Sequence, residues 1–152
     1  MVSRGSAYPK ALRVLFRPTY AACLYLAQVA SGGSTLLTDG FLLVLVGVLI
    51  TAGGVLLWLI ASLDLRKATA TRSIATQRVY RHIRHPIYVS VHLITVGLGF
   101  VFFSWVWFVV VVAFVPFWYL ESREEEHDMT AAHGGEYLEY KAKTRMFIPG
   151  AI

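Results

Sequence analysis

Hydrophobic and polar positions along this chain are segregated into blocks rather than interleaved. Phe41 to Leu63 is 23 residues without a charge. At 1.5 Å per residue that is about 35 Å of helix, enough to span a bilayer with some tilt. Two more uncharged blocks, Ile87 to Phe103 and Trp105 to Leu120, are separated only by Ser104. Each lies near the lower limit of about 17 residues for a span, and a single helix through both would overshoot any bilayer. They therefore predict a tight helical hairpin turning at Phe103-Ser104-Trp105. A fourth block, Pro18 to Leu37, is diluted by Ser31, Gly32, Gly33 and Ser34. Thr38-Asp39-Gly40 predicts a turn out of it. A rival reading of this first block is a signal peptide, with Arg4, Lys10, Arg13 and Arg17 as its basic flank and Ala30 as the cleavage residue. The apolar stretch can instead continue through Leu36-Leu37 to spanning length.

The pattern predicts an all-α integral membrane protein of one domain, residues 1–152, with about four transmembrane helices at 18–37, 41–63, 86–103 and 105–120. A cytoplasmic loop at 64–85 and a cytoplasmic helical tail at 121–152, broken at Gly134-Gly135, complete it. Charge fixes the orientation. With four spans all 14 Lys and Arg fall on one side: four before the first span, six in the central loop and four in the tail. Under the positive-inside rule both termini and the central loop face the cytoplasm. Trp105 and Trp107 would mark one interface, and Trp118 and Tyr119 the other. Gly47, Gly53, Gly54, Gly97 and Gly99 read as close helix–helix packing positions.

Composition agrees with this picture. The mean hydropathy is +0.59 and charged residues make up 15%, against about 25% in soluble domains. The net charge of +5 reads as a face toward anionic lipid; no nucleic-acid motif accompanies it. The single cysteine, Cys23, excludes an internal disulfide and a CxxC site. There is no GxGxxG after a strand, no Walker A loop and no GxSxG elbow.

Chemistry concentrates in two places that a hairpin would bring to one membrane face. The first is Arg84-His85-Pro86-Ile87-Tyr88, with Tyr80 and Arg81 upstream. Pro86 suits the first position of a helix, and so places Arg84 and His85 at a helix mouth whose free N–H groups favour an anion. The second is Glu121 with Glu124-Glu125-Glu126. Three consecutive glutamates beyond a cytoplasmic helix end oppose both the helix dipole and an anionic surface, and a cationic ligand group would offset that. Cationic, aromatic and carboxylate groups together suit a zwitterionic cofactor. A metal site at His82, His85 and His92 is disfavoured, since Pro86 disrupts the register and no Cys or HExxH accompanies them. His92 reads as a buried, hydrogen-bonded histidine of the third helix, and His127 and His133 as solvated.

Tyr80-Arg81-x-x-Arg84-His85-Pro86-x-Tyr88, then a hairpin, then Glu125-Glu126-x-x-Met129, Gly134-x-x-Tyr137-x-x-Tyr140 and Phe147-Ile148-Pro149, resembles the isoprenylcysteine carboxyl methyltransferase family and the related phospholipid N-methyltransferases. The resemblance covers about half the chain, Ile74 to Pro149. It implies an integral membrane enzyme that moves a methyl group from S-adenosylmethionine (SAM) to a lipophilic or amine acceptor. It further implies that Tyr80, His85, Pro86, Ile87, Tyr88 and Glu125 line the cofactor pocket, with Arg72 to Ala75 contributing. Arg84 and Glu126 are carried with this set as cofactor-binding candidates, and His85, Arg84 and Glu121 as catalytic candidates. Glu125 would hold the ammonium of SAM, and His85 with the helix-start N–H groups its carboxylate.

The chain departs from the family's pattern twice. Arg78-Val79 stands where Gly-Pro is usual. Glu121 stands where prenylcysteine methyltransferases carry an arginine for the substrate carboxylate. That second departure favours an amine over a prenylcysteine carboxylate as acceptor. A phospholipid or small-amine N-methyltransferase, and a non-catalytic membrane scaffold, are the alternatives.

Overall fold

The computed structural model describes residues 10–30 and 40–148, with the side chains of residues 10–13 outside the description. The helices are α1 (Lys10–Ala30), α2 (Phe41–Ala70), α3 (Pro86–Phe102), α4 (Trp105–His133) and α5 (Gly135–Lys143), with a 3-10 turn at Arg78–Arg81 before α3. Among the described residues there is no strand, only an isolated parallel bridge between Ile83 and Arg145.

The residues of α2 are sorted by size rather than polarity. Its buried positions include Gly47, Gly54, Ala61 and Ala68, spaced by seven and therefore on one face. Leu42, Leu49, Leu56 and Leu59 point outward and are exposed. Small residues inside and large apolar residues outside is the arrangement of a helix in lipid, where close backbone approach replaces hydrophobic burial. The small face packs along α3. A Cβ at Gly97 would collide with Thr51 Oγ1 and meet the Gly47 carbonyl at 2.7 Å, and one at Gly54 would meet Ile94 at 2.9 Å. Gly53 has nothing within 4 Å, so the packing expectation fails there. Helices α2 and α4 are long and apolar enough to cross a membrane; α3 is apolar but shorter.

A two-residue turn joins α3 to α4 where the hairpin was expected. Phe103 takes the left-handed conformation at φ 47° and Ser104 caps α4, its Oγ accepting the Trp107 N–H at 3.2 Å. Phe16, Tyr20 and Leu24 of α1 pack with Tyr88, Trp107, Val111 and Trp118 in one aromatic-rich core. Two of its polar groups are partnered, the Tyr20 hydroxyl donating to Thr95 Oγ1 at 3.2 Å and Trp107 Nε1 to the Thr95 carbonyl at 2.6 Å, whereas the buried Trp118 Nε1 has no hydrogen-bond acceptor among the described residues.

Three boundaries differ from expectation. Helix α1 begins at Lys10 and carries Pro18 in its interior, so the block expected to start a helix at 18 falls within one that starts eight residues earlier; residues 31–37 lie outside the described residues. Proline removes one backbone bond, and the packing of Phe16, Tyr20 and Leu24 around it overrides that loss. Helix α2 runs seven residues past Leu63, and α4 runs thirteen past Leu120, into the segments assigned to loop and tail. A charge ends an apolar block, not a helix, and Leu, Arg, Lys, Ala and Glu are all good helix formers. The aromatic belt also divides: Trp105 and Tyr119 are exposed, whereas Trp107 and Trp118 are core residues.

Candidate functional site

Three turns of backbone bring the polar groups together. Gly134 ends α4 at φ 57°, ψ −127°, a region open to glycine, and so lets α5 fold back. The segment after α5 then pairs with the stretch before α3. The Arg84 N–H donates to the Arg145 carbonyl at 2.7 Å, the His85 N–H to the Met146 carbonyl at 3.1 Å, and the Arg145 N–H to the His82 carbonyl at 3.1 Å. Tyr140 of α5 donates its hydroxyl to the Tyr80 carbonyl at 2.8 Å. Arg78, at φ 49°, is held by the buried Asp64 of α2 at 3.4 Å.

These contacts enclose a cavity of about 650 Å³ whose lining includes Arg17, Trp58, Arg72 to Ala75, Tyr80, Arg84, His85, Ile87, Tyr88, Trp118, Glu125, Met129, His133, Tyr137 and Tyr140. Its size suits a small-molecule ligand. At its centre His85 is 7% exposed and lies between two carboxylates, Nδ1 at 3.3 Å from Glu125 Oε2 and Nε2 at 3.4 Å from Glu126 Oε1. Its ring stacks on Tyr88 at 5.3 Å and 7°. Burial pulls the His85 pKa down, but the two glutamates outweigh it and the net shift is upward. Burial likewise pushes the Glu125 carboxyl up, and His85 and Tyr88 more than reverse it. Burial raises the Tyr80 hydroxyl, with Glu125 adding to it.

Of the predicted residues, Tyr80, Arg84, His85, Ile87, Tyr88 and Glu125 reach the cavity, and Arg72 to Ala75 join them. Pro86, Glu126 and Glu121 are not among its lining residues. Pro86 is fully buried at the start of α3. Glu126 faces α5 instead. Its carboxylate accepts Arg84 Nε at 2.6 Å and Lys141 Nζ at 2.6 Å, because successive residues on a helix point about 100° apart. Arg84 is committed on its other side to the Lys141 and Thr144 carbonyls, which makes it a clamp on α5. Glu121 is buried, one turn from the Phe117 and Trp118 rings that hold Phe16 of α1. Its charge is nonetheless felt at Tyr88 on the cavity wall. The helix-start N–H groups are also largely taken: Arg84 and His85 donate to the returning segment, and Tyr88 and Val89 donate to the His85 carbonyl.

His92 is half-buried, with Nδ1 2.8 Å from the Tyr88 carbonyl. His127 is exposed, but His133 is half-buried on the cavity wall. Sequence reasoning missed Arg17, Trp58, Trp118 and His133 as lining residues. Tyr137 and Tyr140, which belong to the motif quoted above, both line the cavity, and their spacing of three was the available signal. Comparison with protein-family models, with curated proteins and with solved structures finds no match for this chain.

Proposed function

We propose that the protein is a SAM-dependent methyltransferase of a membrane, carrying out the reaction its resemblance to the isoprenylcysteine carboxyl methyltransferases implies. The observation that carries this is Glu125. It is a half-exposed carboxylate on the wall of a ligand-sized cavity otherwise lined mainly by aromatic and cationic side chains. The lining fits the group's chemistry. Glu125 offers an anion to an ammonium, and Tyr80, Tyr88, Tyr137 and Tyr140 offer ring faces to an adenine and a sulfonium. When bound, SAM would supply an electrophilic methyl group for in-line transfer to an acceptor nucleophile. The protein's own part is positioning. The clamp of Arg84 and Glu126 fixes the tyrosines of α5 against the cavity, and Asp64 fixes the turn that carries Tyr80.

In this reading α1 and α3 cross the bilayer with α2 and α4, both termini lie in the cytoplasm, and a lipophilic acceptor arrives from the apolar end of the cavity, beside Trp58, Ile87 and Trp118. The test is calorimetric titration of SAM into detergent-solubilised protein, wild type beside Glu125→Gln. Saturable binding by wild type, weakened at least tenfold by the substitution, is expected. No binding by folded wild type sinks the reading and leaves a non-catalytic scaffold.

A further inference from the structure

The structure removes the groups expected to hold the ligand's carboxylate and leaves that role open. The α-ammonium and α-carboxylate of an amino acid sit on one carbon, so their anchors must be neighbours. Glu125 fixes where the anchor can be. His85 is adjacent, but its Nδ1 faces Glu125 at 3.3 Å and its Nε2, buried and without a hydrogen bond, lies 3.4 Å from the Glu126 carboxylate. Arg84 is spent on Glu126 and two carbonyls. His133 lies eight residues beyond Glu125 on α4, about 12 Å along the axis. Arg72 stands on the segment after α2, on the cavity wall built by residues 72–75 rather than on the wall where α1 packs against Trp118 of α4, the helix that carries Glu125.

Arg17 remains. It lines the same cavity and is exposed. Its neighbour Phe16 packs edge-on against Trp118 at 4.8 Å, about 10 Å of helix rise from Glu125. Side chains lean toward the N-terminus of their helix, and arginine carries its charge outward on an apolar stem. The guanidinium thus approaches the Glu125 end of the cavity, and its field is felt at both Glu125 and Tyr88.

We infer that Arg17 of α1 is the carboxylate anchor of the site, facing Glu125 across the cavity so that the two together recognise the amino-acid end of the ligand. The inference rests on the SAM reading and adds to it a residue from the opposite end of the chain. It also gives α1 a function, since without that helix the site would have an ammonium anchor and no partner for the carboxylate.

The test uses two ligands that differ only in this group. SAM and decarboxylated SAM are titrated calorimetrically into wild type, Arg17→Gln and Glu125→Gln in detergent, with a thermal melt confirming that each is folded. Arg17→Gln should weaken SAM about 10- to 100-fold, the range for a charge-assisted contact, and leave decarboxylated SAM within about twofold. Glu125→Gln should weaken both, since both carry the ammonium. If Arg17→Gln leaves SAM unchanged, or weakens both ligands alike, the assignment is overturned while the cofactor reading stands. If folded wild type binds neither ligand, the cofactor reading falls and the assignment falls with it.

Discussion

Neutralising Glu126 should release α5 and the segment that follows it while leaving the α2–α3 pair intact. The Glu126 side chain is 3% exposed and takes Arg84 and Lys141 at 2.6 Å each. Burial alone would raise its pKa, but the neighbouring His85, Lys141 and Arg84 bring it from 4.5 to about 2. A displacement of that size is worth about 3 kcal/mol of preference for the charged, folded arrangement. Because the folded carboxyl titrates below the unfolded one, this contribution is fully present above pH 4.5 and is lost as the pH falls toward 2. Glu126→Gln at pH 7 removes the charge and leaves the buried Arg84 guanidinium without its anion, a change of about 3–5 kcal/mol in comparable buried pairs. Taking the lower figure, amides of Gly135–Lys143 should exchange about a hundredfold faster by hydrogen-exchange mass spectrometry, at about 1.4 kcal/mol per decade. Lys141→Ala should do far less, about 1 kcal/mol or under, because that amine is 43% exposed and screened by solvent. Unchanged α5 exchange in Glu126→Gln would refute the clamp. So would an equal rise in α2 and α3, which would mean that the substitution unfolds the whole molecule.

Two further predictions concern the scaffold. Gly97→Ala drives a methyl into Thr51 and the Gly47 carbonyl and should lower the melting temperature in detergent by an amount corresponding to about 1–3 kcal/mol; Gly53→Ala, with open space around it, should be neutral or stabilising by up to about 1 kcal/mol. Ser104→Ala removes the cap of α4 and should cost about 1 kcal/mol in the same melt, with Ser104→Asp largely retaining it.

The elements were legible where a local rule set them. Pro86 opening α3, Ser104 capping α4 and Gly134 closing it are helix-terminus chemistry that any reader of the chain can apply. What was not legible was decided by contacts between distant residues. Arg17 and Glu125 are more than a hundred positions apart, and only the packing of α1 on α4 relates them. The parallel bridge between Ile83 and Arg145 has no signature in either segment. It is this pairing that occupies the N–H groups a helix mouth would otherwise offer to an anion.

The glutamate run illustrates how register redistributes a sequence signal. Three adjacent carboxylates at a helix end demand compensation, and a cationic ligand was one way to supply it. The fold supplies most of it internally. Glu126 is neutralised by Arg84 and Lys141, and His85 stands between it and Glu125. Glu126 thus asks nothing of a ligand, whereas Glu125 is half-exposed, with a histidine, a tyrosine hydroxyl and the field of Arg17 around it. The helical period turns three like charges through about 200°. That rotation places one carboxylate under α5, where it holds the tyrosines in position, and its neighbour on the cavity wall, where a ligand can meet it. Neither carboxylate could do the other's work, and a shift of one residue in α4 would exchange a buried clamp for an exposed one and close the site with an uncompensated charge.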